Sequence, residues 1–407
     1  MNFKRYFQFL LIVIAAGSIY PIIYLRTGYQ ETILQVFDMT FAQLNIIYTV
    51  LGFTFVVGYF PSGYLSDKFS AKWLLTISLF ATALGGFWFA QIPSYSSVVM
   101  IFVIWGFFSV FTFWSAHMKL VKLLSTPEEE GKFFGILDGG RGLIEALLAS
   151  IAIFIFTRVL RSSGENSKYA LTSVIYMYST ILLVVSILIG IFVKTDESKD
   201  TEKKEKVQIT KDNPVFKNKL VYLLGAIIFM GYFTTWGQFF LGGHLEVNIG
   251  VEAVSVAGIM AIFLWTRPIG GMLGGYLADK LGKTKIICGS MIGASISLIL
   301  MSVLPVYLNV NVFYAIVLLF GLFIFCIRGT YWSLLGDLKI SDAFMGLAIG
   351  YISFWGYLPD IIAPQISNLA FGNFGDAGGY NAYFIITAVL GLIGAGLCLV
   401  FVKAKKV

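Results

Sequence analysis

The chain has 407 residues, of which 58% are hydrophobic and only 13% are charged, and its formal net charge is +7. Soluble domains carry roughly 25% charged residues, so this composition excludes a chain built of soluble domains. A segment of about 20 mostly apolar residues is long enough to cross a bilayer, and the sequence offers twelve such segments. It therefore predicts an all-α polytopic membrane protein.

The net charge is explained by membrane topology and not by nucleic-acid binding. Most of the 29 Lys and Arg residues lie in segments assigned to the cytoplasm, whereas Arg158, Arg161 and Lys168 fall on the opposite side. Cytoplasmic loops of membrane proteins carry an excess of Lys and Arg. We therefore expect both termini in the cytoplasm, a location in the cytoplasmic membrane of a bacterial cell, and no nucleic-acid partner.

The twelve predicted spans form two groups of six. In chain order they cover about 6–36, 41–64, 73–91, 98–123, a fifth span that ends near 156, 171–193, 219–243, 252–277, 284–304, 312–336, 343–370 and 381–402. Between the groups, Thr195–Asn218 lacks an apolar run and alternates Lys with Asp and Glu, as a solvated linker does. We expect an N-terminal bundle over 1–194, a cytoplasmic linker over 195–218 and a C-terminal bundle over 219–407.

Two short motifs recur in corresponding places of the two groups. GYLSDK at Gly63–Lys68 returns as GYLADK at Gly275–Lys280, and each copy follows an apolar span and precedes a basic loop. TFWS at Thr112–Ser115 returns as TYWS at Thr330–Ser333. A repeat of this length indicates two homologous halves.

Twelve spans, a central hydrophilic loop and a GxxxDK motif after spans 2 and 8 resemble the major facilitator superfamily. The resemblance covers the whole chain, and it implies two pseudo-symmetric six-helix bundles, secondary transport by alternating access, and a monomer. It also implies that the repeated motif forms part of an inner gate. The gate residues are then Gly63, Asp67, Lys68, Gly275, Asp279 and Lys280.

A weaker resemblance connects the chain with the organophosphate:anion antiporter branch of that superfamily. It rests on YLR at Tyr24–Arg26, where the branch places a phosphate-binding Arg, and on the PSGYLSDK context of the first motif. The branch has a second, symmetry-related Arg in span 7. The corresponding stretch here, MGYFTTWGQFFLGGHL, contains no Arg.

Four arginines lie inside apolar spans, where a charged side chain costs ~2.5–3.5 kcal/mol on insertion scales and usually faces a cavity or a partner. We expect Arg26, Arg141, Arg267 and Arg328 to bind substrate, because a guanidinium presents a planar fork to carboxylate, phosphate or sulfonate.

Structural roles for three of these arginines stay open at this stage. The spacing of Asp138, Arg141 and Glu145 on one helix also fits simple neutralisation of Arg141. Arg328 precedes Asp337 by a few turns and fits the inner gate. Arg267 adjoins Pro268 and fits a brace on span 8.

Other polar and aromatic residues at plausible depth complete the predicted site. Tyr20 is one aromatic candidate for the cavity wall, and the further predicted substrate contacts are Tyr24, Gln30, Trp236, Gln238, Trp332 and Trp355. Glu145 and Asp360 are the expected proton-coupling acids, because burial favours the neutral carboxyl and so permits proton binding.

Enzyme chemistry and bound cofactors are not expected. No GxxxxGK[ST] sequence for ATP occurs, and GGRG at Gly139–Gly142 opens no βαβ unit. Three Cys and two His lack metal-ligand spacing, so we expect no metal site. A sensor without transport is disfavoured because the linker is too short to fold as a domain.

The sequence predicts a secondary transporter for a small, anionic organic solute such as a sugar phosphate, sulfonate or carboxylate. Its partners are then the substrate, the lipid bilayer, and either protons or a counter-anion. The alternative is a proton-coupled symporter of a neutral sugar or nucleoside, in which Trp and Gln bind the solute and the arginines pair with acids.

Overall fold

The computed structural model of the chain describes residues 3–124, 130–194, 214–338, 340 and 342–405. Regular structure there is entirely helical. The α-helices are α1 Phe3–Ile23, α2 Arg26–Val36, α3 Phe41–Lys68, α4 Ala71–Phe89, α5 Tyr95–Gly106, α6 Trp114–Leu124, α7 Glu130–Ser162, α8 Ser167–Phe192, α9 Pro214–Lys217, α10 Lys219–Trp236, α11 Gln238–Val247, α12 Ala253–Leu281, α13 Lys283–Val303, α14 Val310–Thr330, α15 Asp342–Gly356 and α16 Pro359–Lys405. A π-helix covers Phe107–Thr112, and a 3-10 helix covers Tyr331–Leu338.

Within the described residues, eleven helices are long and apolar enough to cross a membrane. The last of them, Tyr351–Lys405, has 55 residues, about 80 Å of helix at ~1.5 Å per residue. That is more than twice the ~30 Å hydrocarbon core of a bilayer. Gly375 breaks this helix with φ 68° and ψ −175°, so the segment supplies two crossings. The predicted all-α polytopic architecture is confirmed.

The chain forms two compact units. One contains Met1–Asp200 and Val251–Trp265, and the other contains Thr201–Gly250 and Thr266–Val407. The domain boundaries expected from the sequence stay a prediction, and residues 195–213 of the expected linker lie outside the described part of the chain.

Each unit contains a tightly packed helix pair built on one glycine and one serine. In the first unit α4 packs on α8, and a Cβ added to Gly86 would overlap the hydroxyl of Ser179. In the second unit α13 packs on α16, and a Cβ added to Gly391 would overlap the hydroxyl of Ser295. Small residues let helix backbones approach closely in a membrane.

Three of the spans expected to be continuous are interrupted. The breaks lie between α1 and α2 at Tyr24–Leu25, between α10 and α11 at Gly237, and between α15 and α16 at Tyr357–Leu358. Pro21 lies two residues before the end of α1 and removes a backbone donor there. The helices that precede the other two breaks, α10 and α15, contain no proline.

Two further spans change their helix type at the repeated motif. Thr112 of TFWS is the last residue of the π-helix, and Thr330 of TYWS is the last residue of α14, where the 3-10 helix begins. The motif recognised as a repeat therefore marks a departure from α-helical geometry in both halves.

Close packing of α12 against α14 brings two of the arginines inside the spans to neighbouring helices. A Cβ on Gly270 would lie 2.8 Å from the Leu322 carbonyl oxygen and 3.0 Å from the Phe325 Cβ. Cys326 Sγ lies 3.1 Å from the Gly270 carbonyl oxygen and donates to it. Glycine is required at this position, because the opposing atom belongs to a backbone that cannot swing aside.

We expect Gly270→Ala to destabilise the protein by about 1–3 kcal/mol, as overpacking does. The matched control is Gly271→Ala, because a Cβ at Gly271 meets nothing within 4 Å. Thermal unfolding of the two variants in the same detergent measures the difference. Equal melting temperatures for both variants would contradict the close approach of α12 and α14.

Candidate functional site

The first cluster of site residues surrounds Arg26, the first residue of α2 after the break in span 1. Arg26 is fully buried. Its Nη1 donates to Asn45 Oδ1 at 3.1 Å, and its Nη2 donates to Gln30 Oε1 at 2.8 Å. Its guanidinium carbon lies 4.8 Å from the centre of the Tyr48 ring, against which Tyr24 stacks at 5.9 Å. The structure thus brings together the predicted residues Arg26, Gln30 and Tyr24.

Tyr48 also makes a hydrogen bond at the break in span 1. Its hydroxyl donates to the carbonyl oxygen of Ile23, the last residue of α1, at 2.8 Å. Gln30 in turn donates to Glu31 Oε1 at 3.0 Å. The interruption of span 1 and the position of its arginine are therefore held by the same tyrosine.

The second cluster surrounds Arg141 on α7. Arg141 Nε lies 3.1 Å from Glu145 Oε1, so the ion pair expected from their i, i+4 spacing is present. The guanidinium carbon lies 4.6 Å from the centre of the Tyr20 ring, and Tyr20 donates its hydroxyl to the Ser109 carbonyl oxygen at 3.1 Å. Arg141 thus combines one carboxylate partner with one aromatic face.

The third cluster, in the second unit, surrounds the buried carboxylate of Asp360, the second residue of α16. Asp360 Oδ1 accepts from the Tyr232 hydroxyl at 2.8 Å and from Trp236 Nε1 at 3.1 Å. The guanidinium carbon of Arg328 lies 5.9 Å from the centre of the Tyr232 ring. An acid at a helix N-terminus also suits the helix dipole.

An aromatic layer extends the Asp360 cluster toward the 3-10 helix. Tyr357 meets Tyr232 edge to face with ring centres 4.9 Å apart. Trp332 Nε1 donates to the Tyr357 hydroxyl at 3.1 Å. The predicted residues Trp236, Arg328, Trp332 and Asp360 are therefore connected through two tyrosines that the sequence analysis did not single out.

Arg267 approaches the same stretch of α14. Its guanidinium carbon lies 5.8 Å from the centre of the Phe325 ring, three residues before Arg328. α12 is continuous through Pro268, so the proline does not divide span 8.

The remaining predicted site residues lie apart from these clusters. Gln238 is buried at the start of α11. Trp355 is 46% exposed, and its ring contacts Tyr351 and Phe354, so its role in binding stays a prediction without a contact to support it.

Half of the predicted gate motif is described in full. Asp279 and Lys280 are exposed near the end of α12, Gly275 is half-buried, and Lys280 Nζ lies 4.4 Å from the centre of the Tyr276 ring. Gly63, Asp67 and Lys68 lie on α3, but their side chains are outside the described part of the chain. The gate role of all six residues stays a prediction.

The sequence held a partial signal for the missed residues. Tyr232 precedes Trp236 by four positions, so both side chains lie on one face of α10. Asn45 and Tyr48 are three positions apart in span 2, so both side chains lie on one face of α3. Tyr357 lies at the break before α16, which the sequence did not reveal. The described residues contain no group of three His, Cys, Asp or Glu side chains that suits a metal ion.

Comparison with known proteins identifies the family. The model of the Major Facilitator Superfamily matches residues 6–364. The chain belongs to the major facilitator superfamily. It is a multi-pass membrane protein, and members of this family transport small molecules across membranes.

Curated relatives cover nearly the whole chain at modest identity. Inner membrane protein YihN of Escherichia coli K12 is 28% identical over 414 residues, covering 98% of this chain and 96% of the relative. Inner membrane protein YqcE of the same organism is 25% identical, covering 99% and 96%. The nitrite extrusion protein of Bacillus subtilis strain 168 is 25% identical over 260 residues, covering 60% and 58%.

Solved structures of transporters share the fold. A bacterial homolog of the human lysosomal transporter Spinster, in an inward-facing and unoccupied conformation, aligns with TM-score 0.78 and 12% identity over 99% of this chain and 98% of that one. The nucleoside transporter NupG aligns with TM-score 0.73 and 13% identity over 99% and 100%. At these identities the likeness establishes the fold alone.

The Asp360 cluster predicts a specific stability difference between two tyrosines. Tyr232→Phe removes a hydroxyl donor from a buried carboxylate, which we expect to cost about 1–3 kcal/mol. Tyr222→Phe is the control, because Tyr222 also donates its hydroxyl, to the Phe216 carbonyl oxygen, but its side chain is 48% exposed.

Thermal unfolding of both variants, alone and with Asp360→Asn, measures the difference. The cost of Tyr232→Phe is expected to shrink when the carboxylate is already replaced. A cost for Tyr232→Phe no larger than that for Tyr222→Phe would show that the hydroxyl does not stabilise Asp360.

Proposed function

We propose that the protein carries a small organic anion, such as a sugar phosphate, sulfonate or carboxylate, across the cytoplasmic membrane by alternating access. The observation that carries the proposal is the balance of charge inside the spans. Among the described residues the buried carboxylates are Glu145 and Asp360, whereas four arginines lie well inside membrane-capable helices, namely the fully buried Arg26 and the half-buried Arg141, Arg267 and Arg328.

The four arginines are divided equally between the units. Arg26 and Arg141 accompany Glu145 in the first unit, and Arg267 and Arg328 accompany Asp360 in the second. Charged groups inside a membrane are costly and usually mark a substrate pathway. An anion that enters such a site supplies the missing negative charge and accepts charge-assisted hydrogen bonds from guanidinium groups.

The arginines differ in how they are suited to this role. Arg26 is fully buried and hydrogen-bonded by two amide side chains, which fits a positive charge fixed in place. Arg141 and Arg328 are half-buried and lie over tyrosine rings, which fits direct contact with a ligand. The name of the Bacillus subtilis relative, a nitrite extrusion protein, also favours an anion.

We expect anions to stabilise the purified protein and neutral analogues to have no effect. The panel is glucose 6-phosphate and gluconate against glucose, and isethionate against ethylene glycol. A ligand at 100 times its dissociation constant adds about 2.7 kcal/mol to the stability of the state that binds it, which thermal unfolding detects readily.

Arg141→Gln or Arg328→Gln is expected to weaken binding of the stabilising anion by roughly 10- to 100-fold, the loss of one charge-assisted contact. Arg161→Gln, at an exposed position on the same helix as Arg141, is the control. Stabilisation by glucose but by none of the three anions would refute the anion proposal.

A second candidate is a proton-coupled symporter of a neutral sugar or nucleoside. The specific observation that favours it is the Asp360 cluster, in which a carboxylate, two tyrosines and two tryptophans offer hydrogen bonds and flat apolar faces. The shared fold with a nucleoside transporter is compatible with this candidate. In it the arginines act as ion-pair partners, as Arg141 does toward Glu145.

The two candidates differ in their prediction for Glu145→Gln. In an anion transporter this change removes the carboxylate that competes for Arg141, so we expect tighter binding of the stabilising anion, measured by thermal unfolding. In a neutral-solute symporter it abolishes proton-linked uptake. Uridine uptake by proteoliposomes, with external pH recorded, measures the second outcome, and a pH change lost with Glu145→Gln would decide for the symporter.

A further inference from the structure

The π-helix Phe107–Thr112 in span 4 is a feature that the proposed function does not use. π-helical turns are rare and occur frequently at functional sites. Because such a turn contains one residue more than an α-helical turn, backbone groups around it lose their ordinary partners. Inside a membrane those groups must be satisfied by the protein.

Neighbouring helices supply the partners. The Ser109 carbonyl oxygen accepts from the Tyr20 hydroxyl of α1 at 3.1 Å. The Ser115 backbone N–H donates to Ser62 Oγ of α3 at 3.1 Å. The Thr112 hydroxyl lies 2.6 Å from the hydroxyl of Ser78 on α4. Side chains from three helices therefore hold the π-helix in its shape.

Tyr20 is also the aromatic face beneath Arg141, at 4.6 Å from ring centre to guanidinium carbon. Phe55 and Phe113 pack against its ring, each with ring centres at 6.5 Å and near-perpendicular planes. The aromatic ring is rigid, so a displacement of the ring by the guanidinium also moves the hydroxyl that binds the Ser109 carbonyl oxygen.

The other end of the π-helix leads toward the first copy of the repeated motif. α6 begins at Trp114, and Lys119 on it donates from Nζ to the Ser66 carbonyl oxygen at 2.9 Å. Ser66 belongs to GYLSDK, near the end of α3. Within the first unit, contacts thus run without a gap from Arg141 through Tyr20, the π-helix and α6 to this motif.

We propose that Tyr20 is a positioning residue that transmits the state of Arg141 to the π-helix and, through α6, to the end of α3. The proposal rests on the proposed function in one respect, that Arg141 binds the anion. When the anion draws the guanidinium away, Tyr20 releases the Ser109 carbonyl oxygen, which then accepts a hydrogen bond from a backbone N–H of its own helix. The π-helical turn becomes an α-helical turn, and the residues after it shift by one position along the helix. α6 then rotates relative to α5 by up to about 100°, the rotation per residue of an α-helix.

The first test needs no ligand. Amide hydrogen exchange of residues 107–115 is measured by mass spectrometry for the full chain in nanodiscs. Tyr20→Phe removes only the hydroxyl, and we expect about fivefold faster exchange of this segment, as loss of one buried hydrogen bond gives. Tyr95→Phe is the matched control, because Tyr95 also donates to a backbone carbonyl, that of Gln43. Ser62→Ala removes the hydrogen-bond partner of the Ser115 N–H and is the positive control for faster exchange of this segment.

Coupling is decided by a double-mutant cycle with Arg141→Gln. We expect Arg141→Gln alone to speed exchange of residues 107–115 severalfold, and to add nothing in a Tyr20→Phe background. Equal effects of Arg141→Gln in both backgrounds, or no effect in either, would overturn the role assigned to Tyr20.

A second arm separates this inference from the proposed function. Glucose 6-phosphate is added in tenfold concentration steps. Hydrogen exchange of residues 107–115 is expected to change in the wild type and to stay constant in Tyr20→Phe, and thermal unfolding of each protein records whether it binds the anion. An identical change in both proteins overturns the inference and leaves anion transport standing. Absence of any anion effect on the wild type counts against anion transport, while the cycle still decides the role of Tyr20.

Discussion

The demand that every backbone N–H and C=O inside a bilayer finds a partner determines where the charged residues of this protein lie. Five of the described spans depart from regular α-helix, and in three of them, spans 1, 4 and 11, a tyrosine hydroxyl donates a hydrogen bond beside the departure. Tyr48 donates to the Ile23 carbonyl, Tyr20 to the Ser109 carbonyl, and Tyr232 to the carboxylate side chain of Asp360. Each of these tyrosines carries an arginine over its ring, namely Arg26, Arg141 and Arg328. The same three tyrosines therefore contact both the irregular segments and the arginines inside the spans.

This arrangement relates stability to transport. A guanidinium on an aromatic face gains electrostatic attraction from the ring, which lowers the cost of keeping the charge inside the membrane. Discontinuous helices near mid-membrane are also where repeat-built transporters bind their substrates. The same interruptions give the helices places to bend, so the proposed anion-binding residues lie next to positions where the helices can move.

The sequence predicted the fold class and the family, because apolar length and a repeated motif are local or periodic signals. It also offered the neutralisation of Arg141 by Glu145 as one alternative, since their spacing is set by the helix, and the structure contains that ion pair. It did not predict that Tyr232 and Trp236 bind Asp360, because these residues are separated from Asp360 by 128 and 124 positions in the chain, respectively. The π-helix left no pattern either, because its partners Tyr20 and Ser62 come from other helices. For Trp355 a polar local sequence suggested a binding residue; its ring contacts Tyr351 and Phe354, and its role in binding stays a prediction.

The glycine–serine contacts of the two units have a consequence for comparing the halves. In the first unit the glycine is on α4 and the serine on α8, whereas in the second unit the serine is on α13 and the glycine on α16. These helices correspond to spans 3 and 6 in one half and spans 9 and 12 in the other. The two halves therefore share the helix pairing, although the glycine and the serine stand on opposite helices of the pair. A comparison of the halves by contacting pairs finds this similarity, whereas a comparison by helix and residue type alone does not.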